Sequence, residues 1–229
     1  MKKLFFSLIL CAITISASAQ VMRAQELEKY AVGRYGQNWT EAASNLKQEL
    51  NLDKNNSLSY SQTIDCGNQT KEQLYIVLNH WFTATFNDAN SVIKLNEKES
   101  GAIVAEGYIN EIATHKGGMN SYIISITPII KVDIKDYKVR VSYTVQYYNV
   151  TKNSGDGLIG LMSEKKNVKT TYEKWAIEDT FPFKIKDKYN AKKSSSKALV
   201  MTHAYSNVIM DKIEETAKHG LIGNEGEEW

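Results

Sequence analysis

The sequence predicts an α+β protein with an antiparallel sheet covered on one face by helices, and two observations indicate this class. Between Thr70 and Phe86, apolar residues recur at spacings of three and four, which indicates one buried helical stripe. After Asn87 the apolar period drops to two, and short turns separate runs of alternating residues. One helix followed by a meander of strands favours helices packed on one side of an antiparallel sheet.

The predicted helix starts with a capping box, because Thr70 is followed three residues later by Gln73. Its side chains would satisfy two backbone donors at the start of the helix. The buried stripe consists of Leu74, Val77, Leu78, Trp81, Phe82, Thr85 and Phe86. We expect this stripe to face the sheet.

The predicted strands are Leu58–Ile64 before the helix, and Val92–Leu95, Ile103–Ile112, Tyr122–Ile134, Val139–Val150 and Lys169–Ile177 after it. Pro128 removes a ladder donor, so it predicts a bulge or an edge position. The alternation places Tyr148 on the polar face, where an exposed ring would suit a carbohydrate or protein partner. A final helix at about Ser195–Lys218 completes the order strand, helix, four or five strands, helix.

Part of this stretch resembles a known family. Residues 70–109 (TKEQLYIVLNHWFTATFNDANSVIKLNEKESGAIVAEGYI) and 122–150 (YIISITPIIKVDIKDYKVRVSYTVQYYNV) are similar to the secreted bacterial domain of unknown function 4468 (DUF4468). The features that carry the resemblance are Trp81-Phe82-x-x-x-Phe86, the Asn90–Leu95 strand and Gly107-Tyr108. The resemblance spans about residues 57–150 and implies a TBP-like fold, in which the antiparallel sheet is curved. It implies no activity and no catalytic residue.

The first 19 residues have the layout of a secretory signal peptide. Lys2 and Lys3 are basic, Leu4–Ile15 is apolar, and Ala17-Ser18-Ala19 is a cleavage site before Gln20. The apolar run is shorter than the ~20 residues of a spanning helix. We therefore expect cleavage between Ala19 and Gln20 and a mature chain without a spanning helix. The expected location is periplasmic or secreted, and the sequence leaves association with the outer membrane open.

Beyond the signal peptide, the chain divides into four predicted parts. Residues 20–56 form a helical appendage, 57–150 the TBP-like domain, 151–218 a loop, strand and helix that complete or cap the fold, and 219–229 a tail. Residues 1–19 hold two of the 28 Lys and Arg side chains and none of the 26 Asp and Glu side chains, so the mature chain is balanced in charge. A nucleic-acid partner is therefore not expected.

The candidate chemical motifs do not combine into an active site. Gly155–Gly160 matches G-x-G-x-x-G, but it follows a meander strand and no helix is predicted after it, which disfavours dinucleotide binding. No two histidines have the spacing of a helical zinc site. Cys66 is the only cysteine of the mature chain, and we interpret it as a small buried residue. We expect no catalytic residue, no metal and no cofactor.

The loop after the last long strand is unusual because it carries apolar residues among glycines, lysines and polar residues. Leu158, Ile159, Leu161 and Met162 either pack beneath the loop or form an exposed contact for a partner or a membrane. The sequence therefore predicts an exported, non-enzymatic binding or interaction module of the cell envelope, with an unknown protein or envelope component as partner. The alternative is a carrier with a small apolar ligand between the sheet and the C-terminal helix, and the lesser alternative is an enzyme of unknown class.

Overall fold

The computed structural model describes residues 22–86, 92–158 and 168–220. Its helices are α1 (Ala24–Tyr35), α2 (Trp39–Glu49), α3 (Lys71–Thr85) and α4 (Lys192–His219), with a 3₁₀ helix at Ile177–Asp179. The strands are β1 (Leu58–Asp65), β2 (Ile93–Glu97), β3 (Ala102–Glu106), β4 (Ile109–Lys116), β5 (Asn120–Ile126), β6 (Ile129–Lys135), β7 (Lys138–Val145), β8 (Tyr147–Ser154) and β9 (Lys169–Ala176). No helix among these residues is both long enough and apolar enough to cross a bilayer.

The strands form two antiparallel sheets that are parts of one bent surface. Their orders are β1-β7-β6-β3-β2 and β4-β5-β8-β9. Each of three strands predicted as continuous is divided into two shorter strands, one in each sheet. The three halves are neighbours in the same order in both sheets, as β3-β6-β7 and β4-β5-β8. The breaks fall at Gly107-Tyr108, Thr127-Pro128 and Gln146, and the Gly107 amide donates to the Pro128 carbonyl at 3.0 Å. The predicted α+β class with a curved antiparallel sheet is confirmed.

The break at Gln146 explains why the prediction for Tyr148 is wrong. Ile126 pairs with Tyr148 in one sheet, and Ile129 pairs with Thr144 in the other. The chain takes three steps from Ile126 to Ile129 but four steps from Thr144 to Tyr148, so Gln146 is an extra residue, as in a β-bulge. The extra residue shifts the alternation by one and turns Tyr148 into the core, where it has no exposed surface. Tyr148 is therefore not available as a partner contact.

Helix α3 forms as the sequence predicts. The Thr70 amide donates to Gln73 Oε1 at 2.9 Å, and the Gln73 amide donates to Thr70 Oγ1 at 3.3 Å, which completes the capping box. Trp81 and Phe82 are buried, and their ring centroids lie 5.0 Å apart. Phe86 adds a third ring 6.2 Å from Phe82. This aromatic cluster anchors the C-terminal end of α3 in the core.

Helix α4 is the central element of the helical layer, because it contacts α1, α2, α3 and strands of both sheets. It begins at Lys192, earlier than predicted, because buried Asp187 organises the residues before it. Asp187 accepts hydrogen bonds from the Tyr189 amide at 2.9 Å, the Phe181 amide at 3.1 Å and the Ser195 hydroxyl. A carboxylate at this end of a helix also interacts favourably with the helix dipole.

The N-terminal helices α1 and α2 pack on α4 and share its core. Leu27 and Ala31 of α1 and Ala43 of α2 are buried. An ion pair between Lys197 Nζ and Glu28 Oε1 at 2.8 Å links α4 to α1 at a site where the lysine is mostly buried. Residues 24–49 thus form part of the same folded unit as the sheet.

Candidate functional site

At one end of the four-stranded sheet, the turn between β4 and β5 supports the loop that follows β8. The amides of Gly155 and Gly157 both donate to the Met119 carbonyl, at 2.9 and 3.2 Å. The Leu158 amide donates to the Gly117 carbonyl at 3.0 Å. These backbone bonds hold residues 155–158 against the turn, so the position of Leu158 is fixed by the backbone.

Gly157 is required for this close approach. A Cβ atom at Gly157 would lie 2.4 Å from the Gly118 carbonyl oxygen, which is closer than packed atoms tolerate. Asp156 is held as well, because its Oδ2 accepts a hydrogen bond from Ser121 Oγ at 2.9 Å. The strands on either side, β8 and β9, pair antiparallel. The Gly-x-Gly sequence therefore belongs to an antiparallel connection, which lacks the parallel strand–helix geometry of a dinucleotide site.

Met119 and Leu158 leave most of their side chains in solvent, with exposed fractions of 70% and 58%. We call these two residues the apolar tip. Val168, which precedes β9, is 43% exposed. The other predicted contact residues, Ile159, Leu161 and Met162, lie outside the described residues, as do Ala19 and Gln20. The exposure of Leu158 agrees with its predicted role, and partner contact itself stays a prediction.

A cleft of about 300 Å³ separates the apolar tip from the start of α4. Met119 lines one side, and Lys192 and Lys193, which we call the basic pair, line the other. Neither lysine forms an ion pair with a carboxylate of the described residues. Lys192 Nζ lies 4.0 Å from the centroid of the Phe181 ring. The cleft therefore has an apolar side chain on one side and cationic side chains on the other.

His115 also lines this cleft. Burial lowers the pKa of its imidazole, and the nearby charges of Lys193 and Lys197 lower it further. The ring is therefore neutral at neutral pH, and the positive charge of the cleft comes from the lysines.

The outer face of the four-stranded sheet forms a second surface, which the sequence did not reveal. Tyr108 and Tyr172 are 61% and 83% exposed and lie beside a groove of about 590 Å³. Its polar groups bond to one another: Asn149 Nδ2 donates to Thr127 Oγ1, and Ser125 Oγ donates to Asn110 Oδ1, both at 3.1 Å. Because these groups already satisfy one another, the groove is a weaker candidate for a binding site than the apolar tip.

A polar cluster lies where α4 meets α1 and β1. His203 Nδ1 is 3.1 Å from the Tyr60 hydroxyl, and the imidazole centroid is 5.5 Å from the ring centroids of both Tyr35 and Tyr60. Asn207 Nδ2 donates to the Tyr35 hydroxyl at 2.9 Å. Burial, with a smaller contribution from the Arg34 charge, lowers the pKa of His203 to about 4. A neutral histidine whose Nδ1 and ring faces are occupied by neighbours is best explained as a structural residue.

The remaining chemical candidates also have structural surroundings. Cys66 is buried, its Sγ lies 3.7 Å from the Ile64 carbonyl oxygen, and burial raises the pKa of its thiol. In the parts of the chain that the structure describes, no three His, Cys, Asp or Glu side chains are grouped as metal ligands would be.

The contact between α4 and the sheets bears on the alternative of a ligand carrier. Leu199, Met201 and Ile209 of α4 and Val141 and Tyr143 of β7 have no accessible surface. No water-sized space therefore touches these side chains. The interface where a carrier would hold its ligand is filled at these positions.

Residues 60–149 match the family described as a domain of unknown function (DUF4468) with TBP-like fold. The resemblance predicted for about residues 57–150 is therefore confirmed as a similarity to that family over residues 60–149. The match covers less than half of the chain and assigns it no activity.

Two solved structures are similar to the chain. One is a TBP-like protein from Parabacteroides distasonis ATCC 8503, with 14% identity over 72% of this chain and 95% of that one, at a TM-score of 0.44. The other is a DUF4468 family protein from Bacteroides ovatus ATCC 8483, with 12% identity over 71% of this chain and 87% of that one, at a TM-score of 0.42. No curated protein matches the sequence.

Proposed function

We propose that this protein is an exported, non-enzymatic interaction module of the cell envelope, and that the apolar tip is its contact surface. The observation that carries the proposal is the joint exposure of Met119 and Leu158 on two loops that backbone hydrogen bonds hold together. The signal-peptide pattern of residues 1–19 supports export.

Folding gives no reason for this placement. Burying a Met or Leu side chain stabilises a protein by about 1.5–3 kcal/mol. At the tip, two such side chains remain mostly in water. Neighbouring exposed apolar groups on a scaffold of fixed geometry are typical of contact sites. A contact that removes them from water would gain the stabilisation that folding leaves unused.

The two other functions have less support. A carrier needs space beneath α4, where the side chains of Leu199, Met201 and Ile209 have no accessible surface. An enzyme needs an activated group, but burial raises the pKa of the Cys66 thiol, and the half-buried His203 is occupied by contacts with Tyr35, Tyr60 and Asn207. Neither observation favours the carrier or the enzyme over an interaction module.

Site-specific photo-crosslinking in intact cells tests the proposal. A photoreactive amino acid replaces Met119 or Leu158 in one set of proteins and Ile76 in the control. Ile76 lies on α3 and is 58% exposed, as Leu158 is, so it reports nonspecific contact. We expect adducts with an envelope component from positions 119 and 158 only. Equal adducts at all three positions, or none at the tip, would show that the tip is not the contact.

Export has its own test. Sequencing of the N-terminus of the protein recovered from the envelope fraction should find Gln20 first. Recovery of a chain that starts at Met1, or that carries lipid on Cys11, would contradict cleavage after Ala19.

A further inference from the structure

We infer that the contact made by the apolar tip is with an anionic phospholipid membrane surface, and that the basic pair binds the lipid phosphates. This inference rests on the proposed function, because it assigns a partner to the same surface. The tip would enter the apolar edge of the bilayer, while Lys192 and Lys193 remain at the level of the headgroups.

The position of the basic pair is unfavourable for folding alone. Lys192 and Lys193 occupy the first turn of α4, where the helix dipole is positive. This turn contains no acidic residue, and α4 has no side-chain N-cap. Cations in a first turn weaken a helix. The Phe181 ring, 4.0 Å from Lys192 Nζ, offsets part of this cost for Lys192, whereas Lys193 has no such contact among the described residues. An anionic partner would reverse that effect, because phosphate groups interact favourably with lysines and with the start of a helix.

The cationic character extends around the tip. Lys116 is exposed at the end of β4, and Lys169 is exposed at the start of β9. Neither forms an ion pair with a carboxylate of the described residues. The carboxylate of Asp156 opposes this charge and keeps its own while it accepts a hydrogen bond from the Ser121 hydroxyl, but the four lysines outnumber it. Because the mature chain is balanced in charge, this surface is a local concentration of positive charge.

The distribution of groups matches a membrane interface. Met119 and the basic pair line opposite sides of the same cleft, so apolar and cationic groups face the same region of solvent. Peripheral membrane contacts combine these elements, with apolar side chains below the headgroups and lysines beside anionic phosphates. A contact with two apolar side chains and a few lysines is expected to be reversible and weakened by salt.

Vesicle flotation with the full mature protein tests the inference. Vesicles of phosphatidylglycerol mixed with phosphatidylcholine should carry the protein upward at low salt, and vesicles of phosphatidylcholine alone should not. The double variant Lys192→Gln/Lys193→Gln should bind about thirty-fold more weakly, because each lysine near an anionic surface contributes about 1 kcal/mol. The double variant Met119→Ser/Leu158→Ser should bind at least about tenfold more weakly.

A matched control removes the same charge elsewhere. Lys135 and Lys138 are exposed on the β6–β7 turn beside Tyr137, which is 53% exposed. The variant Lys135→Gln/Lys138→Gln should bind vesicles as the parent does. All four substituted lysines are exposed, so melting temperatures should verify that each variant is folded.

Two outcomes would overturn the inference: absence of binding to the anionic vesicles, or equal binding by all variants. If anionic vesicles do not bind but crosslinks still form at positions 119 and 158 in cells, the contact surface stands and its partner is a different envelope component. If neither crosslinks nor vesicle binding depend on the tip, the proposed function fails as well.

Discussion

Acidification should destabilise this protein through His203. In the folded state, the imidazole is enclosed by Tyr35 and Tyr60, and its pKa falls from 6.5 to about 4. In the unfolded chain, the imidazole recovers its ordinary pKa. As the pH falls, the unfolded state therefore binds a proton before the folded state does. The free energy of unfolding therefore has its full contribution from the neutral His203 above about pH 6.5. This contribution declines as the pH falls toward about 4, and below that pH it no longer changes.

The expected magnitude follows from the size of the shift. One pKa unit corresponds to about 1.4 kcal/mol, so the shift from 6.5 to about 4 corresponds to about 3 kcal/mol across the whole window. About 2 kcal/mol of this falls between pH 7 and pH 5. The ring of His203 is partly exposed, and solvent screening reduces the expected loss over that interval to about 1 kcal/mol.

Urea unfolding across this pH range measures the effect. The parent protein, His203→Gln and the control His80→Gln should be compared, since His80 is exposed. Carboxylates with lowered pKa values, such as Asp133 and Asp179, affect all three proteins alike and cancel in the comparison. The pH slope should be smaller in His203→Gln and unchanged in His80→Gln. Identical slopes in all three proteins would refute the account of His203 as a half-buried residue that stays neutral in the folded state.

Three further predictions concern folding. In urea unfolding, Trp81→Ala should lower the free energy of unfolding by about 3–5 kcal/mol, whereas Ile76→Ala, at a position that is 58% exposed, should change it by less than about 0.5 kcal/mol. Equal changes for the two variants would show that α3 packs differently. Gly157→Ala should speed hydrogen exchange in the β4–β5 turn, and unchanged exchange would contradict the close approach. The control is Gly33→Ala in α1, where an added Cβ atom meets no other atom, and this variant should stabilise the protein by up to about 1 kcal/mol. Lys193→Glu should raise the melting temperature, because an acidic residue suits the first turn of α4, and a lower melting temperature would count against the dipole argument.

The sequence was sufficient to predict the features that depend on local periodicity. The capping box at Thr70 appears as predicted, and most of the predicted stripe of α3 is buried, because both follow from residue spacing along one helix. Only Val77 and Thr85 of the stripe are half-buried. The alternating strands were also predictable, because the residues that determine each strand lie close together in the chain. The curvature of the sheet was predicted only through the family resemblance.

The features that depend on strand breaks or on distant contacts were not predictable. A single extra residue at Gln146 reverses the facing of Tyr148, and the alternation of apolar residues does not show where a bulge will fall. The apolar tip brings together Met119 and Leu158, which are far apart in sequence, through backbone bonds that no side-chain pattern encodes. Leu158 was a candidate because it is apolar in a polar loop, whereas Met119 gave no such signal.

The start of α4 differs from the prediction for a related reason. Lys192–Ser194 is polar, so the apolar periodicity places the start of the helix at about Ser195, but Asp187 organises the turn before the helix so that it begins at Lys192. The basic pair therefore occupies a helix terminus, and its electrostatic position became apparent only from the structure.

The most direct test of the contact surface is a polarity-sensitive fluorophore on a cysteine at position 119. Cys66 is buried, and Cys11 lies within the predicted signal peptide, so an introduced cysteine should be labelled selectively. The labelled Met119→Cys protein is mixed with isolated cell envelopes, and Ile76→Cys on the exposed face of α3 serves as the control. The account predicts a blue shift of the emission at position 119 and none at position 76, because only the tip leaves water on contact. A shift at both positions, or no shift at position 119, would contradict it.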